Sequence, residues 1–311
     1  MNTMRLRLPA TSANLGPGFD AMALALDLYL EIEAVPASQF GIEASGRNQD
    51  ICGGLTKNLL IETYKLVLAE EQRPLVPLAL RVHNGIPVGM GCGSSAAVRL
   101  AGVALASVFG ELDWDAARIV ERAARLEGHP DNVAACWHGG LTVVANAHKL
   151  AVVSIPPPQT WRAVLVLPEN PVPTAKARGL LPSNYERQDV VMNLQCVALL
   201  TAAFALGRAD LMQLATCDRL HQPYREEICP LLPALLPLAG SHGIISITLS
   251  GAGPAVMLLV EGRDQEARRE GHQNTLRETI LELSRPVCPV EILAAGLNQE
   301  GTGLHVSLIT K

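Results

Sequence analysis

Hydrophobic and polar positions change period several times along this 311-residue chain, and each change predicts an element. Residues 4–8 alternate apolar and basic side chains, as an edge strand does. A polar segment punctuated by glycine and proline follows at 9–20 and gives way to a mostly apolar stretch at 21–30. Short strands are predicted at 31–35 and 40–44, then a helix at 56–71 with Leu59, Leu60, Thr63 and Val67 near one face. A strand at 78–84 feeds a glycine-rich turn, and small apolar residues from 96 to 109 predict a buried helix. Asp113 is a predicted N-cap for a helix running to residue 126, with Ala117, Val120 and Ala124 on its inner stripe. A compact polar turn at 127–132 precedes strands at 140–145 and 150–155.

Pro156, Pro157 and Pro158 predict a rigid connector, which divides the chain into domains at 1–156 and 157–311. Beyond it, a strand is predicted at 163–167, a turn at 174–178 and a long apolar helix at 190–206. Helices at 209–217 and 231–239, a strand–glycine turn–strand unit at 244–260, a charged-faced helix at 266–284 and closing strands at 287–295 and 304–309 complete the pattern. Strands alternating with helices in both halves predict an α+β protein.

Composition narrows the possibilities. Hydrophobic residues make up 49% but aromatics only 4%, so the core must be built from Ala, Leu and Val. A net charge of -5 gives no reason to expect nucleic acid or an anionic membrane as partner, so an anionic ligand has to be held locally. The N-terminal residues lack the apolar run of a signal peptide, and no charge-free apolar segment is long enough to span a bilayer, which predicts a cytoplasmic protein. Seven scattered cysteines form no C-x-x-C pair and indicate neither a disulfide frame nor a zinc site; Cys92, in the glycine loop, is expected to be accessible.

Candidate chemistry lies in the turns. Gly89, Gly91 and Gly93 at alternate positions, followed by Ser94 and Ser95 at the first turn of a helix, suit a phosphate cradle, because backbone amides and the positive helix end favour an anion there. A flexible turn before a core helix is the alternative. Asn14 and Asp20 flank a bend and serve either local turn chemistry or a small polar substrate. Glu121 lies at the edge of a buried helix face, where an ion pair with Arg122 or Arg125 and a metal-binding role are both open. Ser250-Gly251-Ala252-Gly253-Pro254 is satisfied by a tight hairpin.

Taken together, the 9–20 segment, the loop 87–96, the turn 127–134 and the 250–254 segment, in that order, resemble the kinase superfamily named for galactokinase, homoserine kinase, mevalonate kinase and phosphomevalonate kinase. Ala-Thr-Ser-Ala-Asn-Leu-Gly-Pro-Gly-Phe-Asp and Glu-Gly-His-Pro-Asp-Asn-Val-Ala are similar to the homoserine kinase family within it, and the likeness runs from Pro9 to about Val260. Met90, Cys92, Ala23 and Ala135 depart from that family's usual pattern.

The resemblance implies an N-terminal domain like domain 2 of ribosomal protein S5, a ferredoxin-like C-terminal domain and an active site between them. It implies ATP-dependent phosphorylation of the L-homoserine hydroxyl, a step in threonine biosynthesis, by a homodimer. By the same resemblance, Asn58 lies near the adenine, while Pro87, Val88, Gly89, Met90, Gly91, Cys92, Gly93, Ser94 and Ser95, with Gly251 and Gly253, surround the phosphates. Ser95 and Glu121 would hold Mg²⁺, a cation that prefers hard oxygen ligands. Asn14, Asp20, His129, Thr174, Arg178 and Arg225 would read homoserine, a carboxylate facing its ammonium and guanidinium forks its carboxylate. Asn132 and Arg178 are the catalytic candidates, with Asn132 orienting the hydroxyl for direct in-line transfer and Asp131 the competing base.

Overall fold

The structure, a computed structural model, describes residues 2–262 and 270–308. In its first half, β1 (Asn2–Asn14), β2 (Gly18–Pro36), β3 (Gly41–Gly46), β4 (Leu78–Asn84), β5 (Leu141–Asn146) and β6 (Leu150–Ile155) form one sheet with helices α1 (Gln49–Gly53), α2 (Leu59–Glu70), α3 (Ser94–Phe109), α4 (Ala116–Glu127) and α5 (Asp131–His138). Along β1, Met4, Leu6 and Leu8 are buried while Arg5 and Arg7 face solvent, the alternation the sequence predicts. The strand continues well past residue 8. Residues 9–14, expected as a polar turn, pair with β2 through two register shifts, at Pro9/Ala10 and Ala13/Asn14. Their small side chains permit this: Ala13 packs against Ala23 and Ala135, so α5 lies close on the sheet. The turn shrinks to residues 15–17, and the 21–30 and 31–35 segments fuse into β2.

The second half contains β7 (Trp161–Pro168), α6 (Thr174–Gly179), α7 (Arg187–Ala205), α8 (Ala209–Ala215), α9 (Gln222–Arg225), α10 (Leu231–Leu235), β8 (Ile244–Leu249), β9 (Val256–Glu261), α11 (Glu270–Ser284), β10 (Val290–Ala295) and β11 (Gly303–Leu308). Strands in the order β10-β7-β9-β8 make a four-stranded antiparallel sheet, so the chain changes sheet between β6 and β7, across the triple proline. β11 returns to pair antiparallel with β1 in the seven-stranded sheet. The α+β class is as expected. Residues 266–269 of the expected last helix and residue 309 of the expected last strand lie outside the described residues.

Three local expectations change. The cap of α4 is Asp115, whose side chain accepts from the Arg118 N–H at 2.8 Å, whereas Asp113 sits at φ 51°. The 174–178 turn is the helix α6, and α5 was not expected at all, because its buried Val133, Ala134, Ala135 and Cys136 form too short a run to show a helical period. Among the described residues α7 is, by length and composition only, long and apolar enough to cross a membrane, although it carries Arg187 and Asp189 and so is not a charge-free segment; its Leu200, Ala203 and Phe204 are buried in the protein core.

A candidate nucleotide and amino-acid cleft

β4 delivers the chain through buried Ile86 into the glycine loop, and α3 leaves it. Gly89, Gly91 and Gly93 have φ of 74°, 79° and 70°, a left-handed backbone that glycine tolerates without strain. At Gly91 a Cβ would lie 2.0 Å from the Ser250 carbonyl oxygen, and at Gly93 1.9 Å from Thr11 Oγ1. The loop is held from both sides. Thr11 N–H donates to Cys92 O (3.1 Å), Ser250 Oγ to Gly91 O (2.8 Å), and Gly251 N–H to Ala13 O (3.1 Å). Gly93 caps α3 with no side-chain acceptor, so the orphan amides of the first turn remain available to an anion.

The loop borders a cleft of about 360 Å³ that is also lined by Asn14, Asp20, Asn58, Glu127, His129, Asp131, Asn132, Thr174, Arg178, Arg225 and Gly251. Val88, Gly89, Gly91, Cys92, Gly93, Ser94 and Ser95 line it as well. Pro87 and Met90 are not among the lining residues; they border a separate depression with Leu167, Pro289 and Val290. Gly253 also stands back from the cleft, its missing Cβ making room for Cys229 Sγ. Cys92 is not accessible: its side chain turns into the core, 1% exposed, and burial pushes the thiol up to about 12.

Glu121 stands apart from the cleft. It is absent from the cleft lining and pairs with Arg125 one turn along α4 at 2.6 Å, the ordinary ion pair that the sequence left open. The carboxylate beside Ser95 belongs to Glu127, which accepts from Ser95 Oγ (2.8 Å) and from Arg99 Nε (2.8 Å). Six residues at 100° each place Glu127 about 240° around the helix from Glu121, so both cannot face the loop. Glu127 is legible in hindsight: it ends α4 just before Gly128, whose φ of 89° turns the chain into the cleft.

At that turn His129 Nδ1 lies 2.9 Å from Asp131 Oδ1. Burial works against protonation of His129, but the Asp131 carboxylate outweighs it and the imidazole pKa is raised. Asp131 is 1% exposed and also accepts from the Asn132 N–H at 2.7 Å. Asn132 accepts on Oδ1 from Thr11 Oγ1 at 2.6 Å, which aims its amide; Thr11 gave no signal in the sequence beyond its place in the first motif.

The bend after β1 supplies the opposite wall. Asn14 donates to Gly251 O (2.9 Å) and accepts from the Asp20 N–H (3.1 Å), so both ends of its amide frame the bend. Asp20 makes a two-pronged pair with Arg178, 3.0 Å from Nη1 and 2.5 Å from Nη2, which raises the Arg178 pKa. Arg225 is 1% exposed; burial and then the Arg178 charge lower its pKa. Phe19 offers its ring to both guanidiniums, 5.3 Å from that of Arg178 and 5.6 Å from that of Arg225. Thr174 opens α6 at the cleft edge.

Asn58 is fully engaged in structure. Its Oδ1 caps α2 by accepting from the Leu60 and Ile61 amides, and its Nδ2 donates to Cys52 O and Gly54 O. It therefore shapes an apolar end of the cleft, made with Leu30, Ile51, Leu59, Val82 and Val98, and has no hydrogen bond left to give.

The chain is similar to known proteins in sequence and in fold. The chain matches the GHMP kinases N terminal domain over residues 58–140 and the GHMP kinases C terminal domain over 201–277. A homoserine kinase of Solibacter usitatus is 44% identical over 260 residues, covering 82% of this chain and 84% of that one. One from Moorella thermoacetica is 37% identical over 261 residues, covering 83% and 88%. In fold, the crystal structure of homoserine kinase from Cytophaga hutchinsonii superposes with a TM-score of 0.79 at 22% identity, covering 97% of each chain.

Proposed function

The chain belongs to the homoserine kinases of the GHMP kinase superfamily, and on that premise we propose that it transfers the γ-phosphoryl group of ATP to the side-chain hydroxyl of L-homoserine. The observation that carries this reading is one cleft with two chemically distinct walls. An uncapped helix end behind a glycine loop suits a polyphosphate, and Asp20 opposite Arg178 and Arg225 suits a zwitterionic amino acid. The base of ATP fits the apolar end shaped by Asn58, and the 89–95 amides with the α3 N-terminus hold its phosphates.

Ser95 Oγ and the Glu127 carboxylate fit Mg²⁺, being adjacent hard oxygen donors with Arg99 fixing the carboxylate. Bound there, Mg²⁺ would neutralise charge on the phosphates. Asp20 and Arg178 pair with each other across the cleft; a substrate ammonium would replace the guanidinium at Asp20, and the substrate carboxylate would take up Arg178 together with Arg225. His129 and Thr174 border the same space. Asn132, aimed by Thr11, holds the hydroxyl in line, and the hydroxyl proton passes to the transferring phosphoryl group without a dedicated base. Asp131 stays the competing base: its Oδ1 faces His129 Nδ1 and accepts from the Asn132 N–H, whereas among the described residues no hydrogen bond engages Oδ2. Near-normal turnover in Asp131→Asn together with loss in Asn132→Ala is expected; the reverse pattern overturns the base-free route. Acceptor-dependent ADP formation with L-homoserine tests the activity itself, and its absence overturns the reading.

A homodimer, a cytoplasmic location, the absence of nucleic-acid and membrane partners, and division at 156/157 complete the proposal. The change of sheet after β6 supports the division, with β11 crossing back. Light scattering tests the dimer.

A further inference from the structure

His221 lies outside the motifs that singled out the site, yet it is the most completely enclosed imidazole in its neighbourhood, with 0% exposure. Its two nitrogens face different halves of the protein. Nε2 lies 2.7 Å from the carbonyl oxygen of Gly16, in the bend after β1, and must donate to it. Nδ1 is therefore the lone-pair nitrogen, and Arg225 Nη1 donates to it at 2.9 Å. The Gly16 carbonyl thus selects the one tautomer that can accept from Arg225. The ring also stacks on Phe19, centroids 5.3 Å apart, and Asp218 Oδ2 lies 3.4 Å from Nε2.

Two of the three nitrogens of the Arg225 guanidinium are held. Nε donates to Ala177 O (3.2 Å), and Nη1 to His221 and, more weakly, to Gly251 O (3.4 Å). Among the described residues Nη2 has no hydrogen-bond partner, and Arg225 borders the cleft, so that nitrogen is the one left for a ligand. The bend itself cannot drift: at Gly16 a Cβ would meet the Thr216 carbonyl at 2.2 Å, and Asn193 Nδ2 donates to Pro17 O at 2.7 Å. Asp20 sits at the end of the same bend.

We propose that His221 is a positioning residue that spans from the bend to Arg225 and so fixes the carboxylate-reading guanidinium at a set distance from the ammonium-reading Asp20. It touches neither substrate nor phosphate. The inference rests on the proposed homoserine site and deepens it: selectivity for an α-amino acid resides partly in a side chain buried behind that site.

The test uses His221→Leu, His221→Asn and His221→Gln, with steady-state kinetics and thermal unfolding measured on each. Asn places an acceptor where Nδ1 stood, Gln retains only the donor toward Gly16, and Leu removes both. In His221→Leu the KM for L-homoserine rises by about tenfold or more, while kcat and the KM for ATP stay within about threefold. His221→Asn recovers most of that loss and His221→Gln does not. Inhibition constants for two competitive probes separate positioning from general loosening. That for 4-hydroxybutanoate, which has the carboxylate alone, weakens in step with homoserine, and that for 3-aminopropan-1-ol, which has the amine alone, stays within about twofold. Equal weakening of both probes, a parallel rise in the KM for ATP, or an Asn variant no better than Gln overturns the proposal. If Leu costs the fold, the order of Asn and Gln decides. Failure of the wild-type protein to phosphorylate homoserine sinks the functional reading instead, and is distinguishable because it precedes any variant.

Discussion

Gly91→Ala isolates what joins the two walls of the cleft. An alanine there keeps φ near 79° and places its methyl 2.0 Å from the Ser250 carbonyl oxygen and 2.9 Å from that of Gly253. Both are backbone atoms that cannot swing aside. The left-handed conformation costs an alanine about 1 kcal/mol. Relieving the overlap moves the loop from the 250–254 turn and breaks the Ser250 Oγ–Gly91 O hydrogen bond, about 1 kcal/mol more, or up to ~2 if the carbonyl stays buried and unpaired. The sum of about 2–3 kcal/mol corresponds to a fall in Tm of roughly 5–10 °C. The control is Gly207→Ala, at φ 63° with its nearest neighbour at an ordinary 3.8 Å, which carries the strain without the overlap and is expected to lose only about a third as much. Thermal unfolding with and without ATP, beside separate KM values for ATP and homoserine, reads the result. Gly91→Ala is expected to raise the KM for ATP by about tenfold and to reduce the stabilisation that ATP confers. A Gly91→Ala protein that matches Gly207→Ala in Tm and the wild type in KM for ATP refutes the reasoning.

Other outcomes follow from the same geometry. Glu127→Gln is expected to lower kcat/KM by about two to three orders of magnitude and to raise the Mg²⁺ requirement, whereas Glu121→Gln stays within about twofold, as removal of an exposed ion pair should; rates across a Mg²⁺ titration distinguish them. Thr11→Val removes the hydrogen bond that aims Asn132 and should reduce kcat more than either KM. Cys92, its thiol pushed up to about 12 by burial, should resist a thiol reagent in the native protein and react on unfolding; rapid native labelling at Cys92 by peptide mapping contradicts the structure. Burial, with the Arg225 charge adding to it, pulls His221 down to about 4 despite Asp218, so the unfolded chain binds the extra proton between that value and 6.5. The free energy of unfolding must then fall as pH drops through that window, and denaturant titrations should show a shallower fall in His221→Asn.

Much of the cleft was legible because its parts are local. The glycine loop, the 14–20 bend and the 127–132 turn are each short runs whose residue types announce a backbone shape, and all three line one cavity. Residues whose importance depends on tertiary contact were harder to see. Glu121 and Glu127 share a helix, and only the direction in which that helix meets the glycine loop decides between them. Thr11 and His221 act through partners 121 and 205 residues away in the chain, a separation that no periodicity reports. Asn58 does line the cleft, but its capping bonds, visible only in the fold, take up its hydrogen-bonding capacity. Strand lengths failed for a related reason: 9–14 looks polar, yet its small side chains are buried beneath α5.

In the proposed function one cleft joins an ATP cradle to a clamp for a zwitterionic amino acid. The most direct test is a competition. Equal concentrations of L-homoserine, L-threonine, mevalonate and galactose are offered together with γ-labelled ATP and Mg²⁺, and the labelled products are identified. The label is expected almost entirely on the side-chain oxygen of homoserine, with one ADP formed for each phosphate transferred. Label found chiefly on mevalonate or galactose, or ADP formed at the same rate without any acceptor, contradicts it.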